Sequence, residues 1–125
     1  MSSLGKARKL ARQALESLYN GKCTIFEYKS IKDPMTKISK KQPVAVLTDQ
    51  PCRLSIANVT SGQVGEVTTI SQVAKLFISP DVIINPGSMI SVIQNGVTTA
   101  YTRSGQPAIY SNHQEISLEL FKGWA

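Results

Sequence analysis

From Cys23 onward, apolar and polar residues alternate with a period of two over short runs, and clusters of Gly, Pro, Asn, Asp and Ser separate the runs. That is the pattern of strands with one buried face. The clearest instance is centred on Asn95-Gly96, with Met89-Ile90-Ser91-Val92-Ile93-Gln94 before it and Val97-Thr98-Thr99-Ala100-Tyr101-Thr102 after it. Asn-Gly between two such runs predicts a hairpin, because a type I′ turn needs positive φ at both central residues. Cys23-Thr24-Ile25-Phe26-Glu27-Tyr28-Lys29 predicts an earlier strand, with Cys23 and Ile25 on one face and Phe26 and Tyr28 on the other. Pro43-Val44-Ala45-Val46-Leu47 and Cys52-Arg53-Leu54-Ser55-Ile56 predict two more, separated by a turn at Asp49-Gln50-Pro51. Val73-Ala74-Lys75-Leu76-Phe77-Ile78, Ala108-Ile109-Tyr110 and Ile116-Ser117-Leu118-Glu119-Leu120-Phe121 follow. Between them lie the short apolar run Val82-Ile83-Ile84 and the pair Pro86-Gly87, which suits a type II turn.

Two stretches break the alternation. Over 3–20, Leu4, Ala7, Ala11, Ala14, Leu15 and Leu18 recur at intervals of three and four, which predicts an amphipathic helix capped by Ser2 or Ser3 and ended at Asn20-Gly21. The segment 57–71 is poor in large side chains and carries Gly62 and Gly65, which predicts a long flexible loop with an extra strand around 67–70 as the alternative. The expected fold is therefore mainly β, a small antiparallel β-barrel over 22–122 with an N-terminal amphipathic helix and a long flexible loop, all in one domain spanning 1–125. A barrel is favoured over a sandwich because so few strands leave two open sheets with uncovered edges. At 125 residues, 42% of them hydrophobic, the chain can bury about two thirds of its unfolded surface without metal or disulfide staples.

Charge changes this picture more than composition does. Residues 1–41 hold ten Lys and Arg against three acids, whereas 42–125 hold four against five. A one-sided charge of this kind points to an acidic protein surface or to nucleic acid. The candidate basic docking surface comprises Lys6, Arg8, Lys9 and Arg12 on the helix and Lys37, Lys40 and Lys41 in an exposed turn. The candidate interface loop comprises Asn58, Gly62, Gln63, Gly65 and Glu66. No apolar run approaches the roughly 18 residues that span a bilayer, and the N-terminus lacks the continuous apolar stretch of a secretion signal, so the chain is expected to be soluble, without membrane association, and made in a cytoplasm.

Candidate chemistry is sparse. Cys23 and Cys52 are the two cysteines, neither at metal-ligand spacing, and are expected as reduced, packed thiols, with a disulfide possible only on neighbouring strands. His113 is the one histidine, and Ser111, Asn112, Gln114 and Glu115 beside it in sequence do not make a catalytic geometry. The expectation is a non-enzyme without cofactor or metal. A nucleic-acid-binding barrel of the oligonucleotide-binding type is the alternative, using Phe26 and Tyr28 beside the lysine-rich turn.

Lys75-Leu76-Phe77-Ile78-Ser79-Pro80-Asp81, Pro86-Gly87, Asn95-Gly96 and Tyr110-Ser111-Asn112-His113-Gln114-Glu115 leading into Leu118-Glu119-Leu120-Phe121 carry a resemblance. Over roughly 19–124 the chain resembles the small neck proteins encoded in the head-to-tail morphogenesis clusters of tailed phages and PBSX-type prophages of Gram-positive bacteria. Where related sequences often place an acid after the Pro-Gly turn, this one has Ser88. The resemblance implies a head-completion, connector or stopper role, with copies forming a ring beneath the portal that closes the filled head and receives the tail. It implies contact with a portal or adaptor ring and with a tail-completion protein. It also implies a barrel with an extra helix and long loops, one of which projects into the DNA channel. A monomer in dilute solution is compatible with it, since weak interfaces become strong when several are engaged at once.

Overall fold

A computed structural model describes residues 3–64 and 67–124. Within them lie α1 (Ser3–Glu16) and seven strands, β1 (Gly21–Lys32), β2 (Ser39–Val64), β3 (Val67–Ile78), β4 (Met89–Gln94), β5 (Val97–Arg103), β6 (Ala108–Ile109) and β7 (Gln114–Leu120). All pairings are antiparallel. The order is β3-β2-β1-β4-β5-β7-β6, and β3 also pairs with β7, so the sheet closes on itself, while β6 pairs with the start of β7 on the side that β5 takes farther along. The expected small antiparallel β-barrel is this closed ring of strands.

The core fills from alternate positions. Cys23 and Ile25 of β1, Cys52 of β2, Leu76 and Ile78 of β3, Ile90 and Val92 of β4, Tyr101 of β5 and Ile116 and Leu118 of β7 are buried together. Each aliphatic side chain of this set contributes about 1.5–3 kcal/mol by leaving water. The predicted face of β1 is correct, and so is the Asn-Gly hairpin, with φ of 53° at Asn95 and 76° at Gly96. Gly87 has φ 83° and the Ser88 N–H donates to Asn85 O at 3.2 Å, as the Pro-Gly turn requires.

Four expectations are corrected. The helix is shorter than 3–20, because Ser17 Oγ donates back to Ala14 O at 2.6 Å and the next bonds tighten to three-residue spacing at Leu18 and Tyr19. Gly21 does not end the helix in a left-handed conformation; it opens β1, where a Cβ would lie 2.9 Å from Gln94 Oε1 and 3.1 Å from Cys52 O. Asp49-Gln50-Pro51 does not separate two strands, since β2 runs through it. Asp49 has φ 50°, the pairing with β1 slips between Cys23 and Ile25, and the Asp49 N–H donates to Thr24 Oγ1 at 3.3 Å. This is a bulge, which bends β2 enough to serve two sides of a small ring. Finally, the loop expected over 57–71 is the outer end of the β2–β3 hairpin, with partners running from Ala57↔Val73 to Val64↔Val67 and a slip between Thr60 and Gln63 across Gly62. Val59, Thr60, Val64, Val67, Thr68, Thr69 and Ile70 favour extended backbone, and that preference outweighs the two glycines.

Where β1 begins, β2 runs on without a neighbour on that side, and a side chain substitutes for one. Gln94 accepts from Leu54 N–H at 2.8 Å through Oε1 and donates to Leu54 O at 2.9 Å through Nε2. Gln94→Ala is expected to lose about 1–3 kcal/mol by leaving both Leu54 groups unpaired. Gly21→Ala displaces the same carboxamide, so the two substitutions together should cost less than their sum in urea denaturation.

Candidate functional site

The basic residues singled out from sequence fall on two separate elements. Lys6, Arg8 and Lys9 are exposed on α1, while Arg12 is turned to the barrel, where its guanidinium meets Asp81 Oδ2 at 2.7 Å and donates to Ser111 O at 3.1 Å. Lys37, Lys40 and Lys41 are exposed on the β1–β2 hairpin. Its tip is held by Asp33, whose N–H donates to Ile38 O at 3.0 Å and whose Oδ1 accepts from Met35 N–H at 2.8 Å. Leu10 of α1 is 65% exposed and Leu18, just past the end of α1, is 67% exposed, while Leu15 is half-buried, so the chain's own barrel covers the apolar side of this segment only in part.

Of the residues of the candidate interface loop, which the resemblance would turn toward a channel, Asn58 is exposed on β2, Gly62 and Gln63 belong to the backbone of β2, and Gly65 and Glu66 lie outside the described residues. Past Ile56↔Ala74 the arms of this hairpin pair, among the described residues, only with each other. β2 and β3 therefore form a two-stranded ribbon leading away from the closed ring.

A groove of about 680 Å³ opens where β1 passes the start of β4. One wall is aromatic, with Tyr28 and Trp124 stacked at 5.0 Å between centroids and 12° between planes, and Phe121 edge-on to Trp124 at 4.8 Å. Glu27, Lys41, Arg103, Glu119 and Lys122 give it mixed charge. Two of these are held by the 84–88 segment. Glu27 Oε2 accepts from Asn85 Nδ2 at 2.9 Å, and Arg103 Nη1 donates to Ile84 O at 2.7 Å. Ser88, 2% exposed, also lines the groove, and its Oγ has no hydrogen-bond partner among the described residues. Sequence reasoning missed this groove, because its walls come from β1, β2, β5, β7 and residues 85–88 and 121–124. The signal available was Trp124 beside a Gly.

His113 sits elsewhere, stacked on Tyr110 at 4.8 Å and on Phe77 at 6.1 Å. Its ring nitrogens meet Asn112 Oδ1 at 2.9 Å and Glu115 Oε2 at 3.1 Å, and Lys75 Nζ lies 3.4 Å from Glu115 Oε1. The hydrogen bond from His113, reinforced by Lys75, holds the Glu115 carboxyl below its usual range. The Cys23 and Cys52 thiols are free and buried on neighbouring strands. Their mutual hydrogen bond and their burial push the Cys23 thiol up, which keeps it protonated. Among the described residues, no group of three or more His, Cys, Asp or Glu could hold a metal ion, and no helix is long and apolar enough to cross a membrane.

No protein-family model and no curated protein matches the chain. Among solved structures, one match is the phage-like element PBSX protein xkdH from Bacillus subtilis, 12% identical, covering 79% of this chain and 91% of that chain with a TM-score of 0.46.

Proposed function

We propose that this chain is a structural protein of a phage or prophage particle, acting at the neck as a head-completion, connector or stopper component. The reading rests on the segment-by-segment resemblance in sequence, from Lys75 to Phe121, together with one structural observation. That observation is the two-stranded ribbon of 57–64 and 67–73, carried by a small closed ring of strands and paired with nothing else in the chain among the described residues. A protein whose work is contact between copies needs a stiff base and projecting surfaces more than a pocket of reactive groups. The exposed part of the apolar side of α1 and the basic β1–β2 hairpin are further surfaces of that kind.

In this reading, copies assemble as a ring in the bacterial cytoplasm, meet a portal or adaptor ring on one side and a tail-completion protein on the other, and turn the ribbon toward the DNA channel. It acts by shape, without catalysis or cofactor. The test is to delete the gene from its phage or prophage. Filled heads that leak DNA and never acquire tails are the expected particles, and complementation with the intact gene restores them. Infectious particles of normal yield from the deletion would overturn the proposal.

A further inference from the structure

Beyond Phe26, β1 continues without its partner β4. The register ends at Phe26↔Met89, where residues 85–88 turn the chain aside, yet β1 runs on to Lys32 with β2 on its other side. Among the described residues, no strand pairs with that free edge over 28–32. Such an edge presents alternating N–H and C=O groups and is a template for another extended chain. Elsewhere the fold closes an edge of this kind from within, with the Gln94 carboxamide at Leu54. At β1, among the described residues, no side chain does so.

Two further observations give the occupant its chemistry. Residues 29–41, the arms and tip of the β1–β2 hairpin, hold five exposed lysines against one aspartate; Lys29 and Lys32 lie on the edge itself, with Lys29 Nζ 3.6 Å from Glu27 Oε1, so the hairpin that carries the edge is cationic. The buried Ser88 hydroxyl, unpartnered among the described residues, lines the groove at the foot of this edge, beside the point where an incoming strand would meet the start of β4. From these we infer that the free edge of β1 over 28–32, with the groove at its foot, takes an extended acidic segment of a partner polypeptide by strand addition. The added strand would lie end to end with β4 along β1. Main-chain bonds give the affinity and lysine–carboxylate contacts the selectivity. A nucleic-acid strand fits less well, because a phosphodiester backbone has no donors for the carbonyls of the edge and because one face of Tyr28 is already covered by Trp124. This inference stands apart from the neck assignment and survives its failure.

Trp124 is the single tryptophan and stacks on Tyr28, so its emission reports occupancy of the groove. The probe is an acetylated and amidated peptide of about six residues, the length of a typical strand, alternating glutamate and valine. Titration into the full chain should shift Trp124 emission and slow amide hydrogen exchange over 28–32. A lysine–valine peptide should do neither. The double variant Lys29→Glu with Lys32→Glu, at exposed positions and with unchanged circular dichroism, should weaken binding by about tenfold or more. Methylating alternate peptide nitrogens should abolish binding in one of the two possible registers. Binding unaffected by methylation in either register would overturn strand addition. Absence of any binding, or tighter binding of single-stranded oligothymidylate than of the acidic peptide, would overturn the proposal as well.

Discussion

Gln114→Glu is expected to remove about 3–5 kcal/mol of stability at neutral pH, a large share of the 5–15 kcal/mol that holds a domain of this size together. Gln114 is 2% exposed, and its Nε2 donates to Ser79 O at 2.8 Å and to Val82 O at 2.5 Å. Those carbonyls belong to the segment that crosses from β3 to β4 without strand pairing and that inserts Val82 and Ile84 into the core. One carboxamide thus anchors the connection that closes one end of the ring. A carboxylate in its place aims negative charge at two carbonyl oxygens with no donor to offer. Gln114→Ala should cost less, about 2–3 kcal/mol, since it leaves unpaired carbonyls without a buried charge. The two variants also differ in their pH dependence. The introduced carboxyl is disfavoured in its charged form by burial, so its folded-state pKa rises above the unfolded one. The penalty is therefore fully present above the folded value and is relieved as pH falls through it, because the protonated acid can donate one hydrogen bond. Urea denaturation of both variants and the parent at pH 7 and at pH 4 to 5 reads this directly. A Gln114→Glu protein within about 0.5 kcal/mol of the parent at pH 7 would show that the carboxamide is not the anchor.

Gln114 also shows what the chain discloses about its own fold and what it withholds. Strands with one buried face announce themselves, and Cys23, Ile25, Ile90, Val92 and Ile116 are where alternation puts them. Turns that need positive φ announce themselves too, through Asn95-Gly96 and Pro86-Gly87. The ribbon over 57–73 does not, because a strand pair with no core beneath it has no reason to alternate. Only its β-branched content points to extended backbone, and the glycines point the other way. Asp49 signals a turn for a related reason, since a bulge and a turn draw on the same residue types and only the pairing on either side distinguishes them. The Gln94 bridge and the groove around Ser88 are juxtapositions across distant elements, and nothing local in Gln94 or Ser88 marks them. The basic residues were legible as a charge imbalance, but their division between α1 and the β1–β2 hairpin, and the use of Arg12 on Asp81, follow from the topology.

Replacing residues 57–73 by Asn-Gly, so that Ile56 and Ala74 are joined through a two-residue turn, is expected to leave the barrel folded and, if the chain serves at a phage neck as proposed, to abolish that service. Ile56 and Ala74 are already partners, and a type I′ turn fits the twist of the arms they end. The removed arms pair, among the described residues, with each other and not with the ring. At about 3.3 Å per residue, the eight residues of 57–64 carry the ribbon some 25 Å from its base, farther than a side chain could reach. Thermal unfolding of the shortened protein should stay within a few degrees of the parent, which establishes that the base is intact. Particles carrying it in place of the parent should match those of the full deletion if the ribbon gates or retains DNA. They should still join tails if it only fills the channel. Both outcomes keep the ribbon as the working element and divide its role between closure of the head and acceptance of the tail. Fully infectious particles that retain their DNA would instead transfer the function to α1 and the basic hairpin, the other surfaces that the ring leaves uncovered.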